Sequence, residues 1–139
     1  MDSNNLSLSM KYVALRAKAE AGNMRKFEFG VEYMFLGLLK LAEIRSEDGF
    51  REKIQEVDND IAEVKAMFVK HGVDTSKARP ELRHVLKHGG SSDPDKLEAY
   101  LDDSLEIARK NKRTEAHAQD LLTAIIKKPT DTILQVCNF

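Results

Sequence analysis

The residues of this chain whose types can do chemistry are few and scattered. His84 and His88 stand four apart, Asp102 and Asp103 are adjacent, and Glu32 lies inside an apolar run. Two short basic clusters complete the set, Arg25-Lys26 and Lys110, Lys112, Arg113. A four-residue histidine step puts two imidazoles on one helix face, which is metal-ligand spacing. No convergent carboxylate or cysteine is near them in sequence, however, and Arg83 and Lys87 repel a cation, so the pair reads as a solvated face. Adjacent acids on a helix point in different directions, and Asp102-Asp103 reads the same way. The cluster at Lys110 to Arg113 has no interleaved aromatics, which gives no recognition element for nucleic acid. Arg25-Lys26, in a polar linker, hints at an anionic partner.

The motifs of phosphate loops, dinucleotide folds, nucleophile elbows and zinc peptidases are all missing, so no catalytic residue, metal or cofactor is assigned. The 22 Lys and Arg nearly balance the 23 Asp and Glu. Such a chain has no overall field to draw it to nucleic acid or to an anionic membrane. Cys137 is the single cysteine and excludes an internal disulfide. The first ten residues, MDSNNLSLSM, lack the basic start and apolar run of a signal peptide, the longest apolar run is too short to span a bilayer, and the expectation is a soluble cytoplasmic protein.

The elements that position these residues are organised around GVEYMFLGLLKL, Gly30 to Leu41, a helix apolar enough to be buried almost all round. A shift of 87 residues sets GVEYMFLGLLK over HAQDLLTAIIK, His117 to Lys127. The same shift sets Met10, Ala14, Ala17 and Ala21 over Leu97, Leu101, Ser104 and Ala108. This is an internal repeat of an amphipathic helix, a polar linker and an apolar helix. Neither copy buries its faces alone, so the fold class expected is all-α, two pseudo-symmetric repeats packed as one domain.

Repeat one covers residues 6–45 and repeat two residues 93–137. The first long helix runs from a Ser7 or Ser9 N-cap to about Gly22, with Lys11, Arg16, Lys18 and Glu20 on its outer face. Glu32, in the first turn of the apolar helix, reads either as a cap or as a binding group. Between the repeats, residues 46–70 carry Phe50, Ile54, Val57, Ile61, Val64 and Phe68 in steps of four and three. That is the spacing of a coiled-coil seam, laid on the domain itself or used as a dimer face. In the inter-repeat segment, residues 71–92, Pro80 leads into a short helix, Glu81 to Lys87. Asp93-Pro94 is an N-cap and first-turn proline for the second long helix. A last helix begins at Asp131, and the end of the chain soon afterwards suggests a piece of a longer protein.

The repeated unit resembles the N-terminal domain of the Clp ATPases, the ClpA, ClpB and ClpC unfoldases. GVEYMFLGLL is similar to their G-T-E-H-L-L-L-G-L-L motif, Leu6-Ser7 falls at their Phe-Thr pair, and HGVDTSKARPELRHVLKHG, from His71, resembles their inter-repeat segment. The chain departs from the pattern at Gln119, where repeat two should carry glutamate, and at Pro94, where a threonine is expected. It departs again at Arg25-Lys26 in the linker, in the long seam helix, and in lacking ATPase modules.

The resemblance implies a non-catalytic domain that recruits adaptor proteins and unfolded or tagged substrates for the ATPase modules of a parent unfoldase. In ClpC-like members a repeat holds a phosphorylated arginine, the glutamate facing the guanidinium and a helix start with a hydroxyl facing the phosphate. Here that implies Glu32 and Ser7 as substrate-binding residues of repeat one, with Arg25 and Lys26 beside them, and no equivalent charge at Gln119. Two rivals are a dimeric helical regulator using the Phe50 to Phe68 stripe and a small metal enzyme built on His84 and His88.

Overall fold

A computed structural model describes residues 5–44 and 55–139, and these contain seven helices and no strand. They are α1 (Leu8–Asn23), α2 (Val31–Ala42), α3 (Gln55–Lys70), α4 (Thr75–Lys87), α5 (Pro94–Lys110), α6 (Ala118–Lys127) and α7 (Asp131–Leu134). The chain is all-α, as its periodicities predict.

The core is built on α2, in which every residue except Lys40 is buried. It packs against α1, α3, α4, α5 and α6. Its approach to α1 depends on Gly37, because a Cβ there would lie 2.5 Å from the Val13 carbonyl oxygen. Phe35 meets the edges of two other rings, Phe68 of α3 at 5.8 Å and Phe139 at 5.9 Å between centroids. The fully exposed Phe27 and the half-buried Phe29, which stacks obliquely on Tyr33, flank the entry to α2.

The two helix pairs share their bounds closely under the 87-residue shift. The start of α1 falls one residue inside α5, and α2 and α6 begin together at Val31 and Ala118. Both long helices end in the same turn: Arg25 (φ 58°) and Lys112 (φ 61°) are left-handed, and the next N–H in each reaches back to the carbonyl of Ala21 or Ala108. This double closure satisfies carbonyls the helix end would otherwise leave bare.

Two expectations change, and of the two readings of the α3 stripe the structure takes the one that lays it on the domain itself. Glu20 does not face solvent; it is 5% exposed and bound by Arg83. Helix α4 starts at Thr75, capped by Asp74, so Pro80 lies inside it rather than ahead of it. The proline removes only a bond to the carbonyl of Ser76, and Ser76 is exposed. The stripe of α3 turns inward, with Val57, Ile61, Val64 and Phe68 all buried in the common core. Its described part therefore offers no free seam for a dimer; Phe50 and Ile54 lie outside the described residues.

Candidate functional site

The start of α2 holds one of the buried side-chain atoms that lack a hydrogen-bond partner among the described residues. Its N-cap is Gly30, and no side-chain oxygen caps the helix. Instead the Gly30 N–H donates to Ser92 Oγ at 2.8 Å, and a Cβ on Gly30 would collide with Ser92 and with the backbone of Asp93. Glycine is thus required here because the loop before α5 presses on the start of α2. Asp93 in turn caps α5 by accepting from the Asp95 N–H at 2.9 Å.

Glu32 sits one residue into α2, 4% exposed, and its Oε1 has no hydrogen-bond partner among the described residues. It makes no capping hydrogen bond to the helix. A buried carboxylate oxygen without a donor costs about 1–3 kcal/mol or more. Its charge is felt by the phenols of Tyr33 and Tyr100, both raised above the ordinary tyrosine value, first by burial and then by Glu32. The arrangement offers a negative oxygen for a guanidinium or ammonium group next to an uncapped helix start that attracts an anion.

The start of α6 is the counterpart under the shift, and there every group is satisfied. Asp60 of α3, fully buried, accepts from the N–H of Ala118 at 2.9 Å, the N–H of Gln119 at 3.0 Å and Gln119 Nε2 at 3.2 Å. The Ser9 hydroxyl also donates to Asp60. His117, the N-cap residue, places Nε2 2.7 Å from Glu56 Oε1, and its own N–H donates to Asp120 Oδ2 at 2.9 Å. Gln119 therefore supplies a donor to Asp60 where a glutamate would add a second charge.

Ser7 belongs to this second site. It caps α1 by accepting from the Met10 N–H at 3.2 Å, touches Ser9, and donates its N–H to the Ala116 carbonyl at 3.0 Å. The sequence places Ser7 with Glu32 in one repeat. The structure instead brings the start of α1 to α6 and the start of α5 to α2, so Ser92 and Asp93 are the neighbours of the α2 start. Arg25 and Lys26 line a separate groove with Arg16, Glu20 and Arg83.

Sequence reasoning missed Asp60 and Ser92, and it read Ser9 as an alternative N-cap rather than as a donor to Asp60. Asp60 carried a signal: it lies three residues from Val57 and four from Val64, on the apolar face of α3. Ser92 carried none, since its role depends on a contact across 62 residues of sequence. His84 and His88 stack with centroids 4.3 Å apart, and the described residues hold no group of three metal-ligating side chains. Arg113 is tied to Asp120. Comparison of the chain with protein-family models, with curated proteins and with solved structures finds no match.

Proposed function

We propose that this chain is a non-catalytic recruiting domain of a Clp-type ATP-dependent unfoldase, binding adaptor proteins and unfolded or arginine-phosphorylated segments of substrates in the cytoplasm. Glu32 carries the reading: a buried carboxylate with a free oxygen beside an uncapped helix start suits a ligand that is cationic at one end and anionic at the other. Phosphoarginine has that form. The matching turns after α1 and α5 support the two-repeat architecture the reading needs. With Asp60 filling the start of α6, one such site is expected per chain.

Titration calorimetry against phosphoarginine and an arginine-phosphorylated peptide tests this. Saturable binding near one equivalent is expected, lost in Glu32→Ala and in the isosteric Glu32→Gln, with both variants folded by circular dichroism. Heat without saturation from the folded wild type, or binding unchanged in Glu32→Gln, overturns it.

A further inference from the structure

The α1–α2 linker and the last turn of α4 enclose a groove of roughly 760 Å³ on which cations gather. Arg16, Arg25, Lys26, Arg83 and Lys87 line it against the carboxylate of Glu20. That carboxylate is already engaged. Arg83 Nε donates to Glu20 Oε2 at 3.0 Å, its Nη2 reaches Oε1, and Arg16 Nη2 lies 3.6 Å away. Glu20 thus fixes two guanidinium groups in the wall and leaves nothing for the rest. Among the described residues Arg25, Lys26 and Lys87 join no ion pair.

One further feature points to a partner. Phe27, next to Lys26, is a wholly exposed aromatic ring, and the half-buried Met24 puts apolar surface in the groove. A bare aromatic beside clustered cations and apolar lining fits a chain that brings carboxylates and an apolar side chain together.

We propose that this groove binds an acidic segment of a partner protein, one carrying an apolar residue that covers Phe27. Nucleic acid fits less well, because a single aromatic makes no stacking platform and Glu28 follows it directly. The proposal goes beyond the Glu32 site and stands whether or not that site takes phosphoarginine.

The test is fluorescence anisotropy of the full chain with a labelled poly-glutamate peptide bearing a central Leu-Phe pair. Saturable binding that weakens as salt rises is expected. The double reversal Arg25→Glu with Lys26→Glu should weaken it by about tenfold or more, and Phe27→Ala by roughly threefold to tenfold. Arg25→Gly, which relieves the backbone, should melt no lower than wild type and still bind less. Lys110→Glu, an exposed reversal outside the groove, should bind as wild type does. No saturation, equal affinity in the double reversal, or tighter binding of a single-stranded oligonucleotide overturns the proposal.

Discussion

The buried carboxylates Glu20, Glu32, Asp60 and Asp120 differ mainly in their company. Asp60 has four donors, Asp120 has a backbone N–H and Arg113, and Glu20 has two guanidiniums, whereas Glu32 keeps an oxygen unpaired. The partners of Asp60 and the Arg83 bond of Glu20 cannot be read from residue types, because they lie 51 to 63 residues away in sequence. The apolar run around Glu32 did announce its burial. Cys137 follows the same logic without a partner: burial, then the charge of Glu81, pushes its thiol up to about 11. The folded state thus keeps a proton that the unfolded chain gives up near pH 9. Its contribution to stability is complete below that value and is lost as pH rises towards 11. Iodoacetamide at pH near 8 should accordingly modify the folded protein at least ~100-fold more slowly than the denatured one. Equal rates would mean that the thiol is not buried.

At the scale of elements, two contacts decide how the helices sit. Gly37 lets α1 and α2 touch at backbone distance, and Gly37→Ala should cost about 1–3 kcal/mol, read as a lower melting temperature. Val13→Ala should not rescue it, since the 2.5 Å approach is to the Val13 carbonyl and not to its side chain. The second contact joins α3 to α6. Gln119→Glu should destabilise by about 2 kcal/mol, because it sets a second carboxylate against buried Asp60. Asp60→Asn alone should cost about 2–3 kcal/mol, and the double variant less than the two together by about 1–2 kcal/mol. Additive denaturation midpoints would break the link between Gln119 and α3. Element type and order were legible because apolar residues recur at three and four residues in α3 and α5 and α2 is apolar almost throughout. The start of α4 was not, since Pro80 reads as a stop unless the carbonyl it abandons is known to face solvent.

For the molecule as a whole, the shift of 87 residues was visible in the sequence, but the cross-docking of the pairs was not. Repeat reasoning assigns each helix start to its own copy, whereas packing lays the start of α1 on α6 and that of α5 on α2. Charge balance is equally blind to the groove, where locally clustered cations vanish in a near-neutral sum. The crossing at Leu6, bridged to Ala116, also sets a timetable for a chain made from its N-terminus. On the ribosome α1 and α2 emerge ahead of α6, so the anchor of α1 waits until residues 116–119 are out. Until then α2, the most apolar of the described helices, has only part of its cover. The newborn first half is therefore itself the kind of exposed, unfinished segment that chaperones hold.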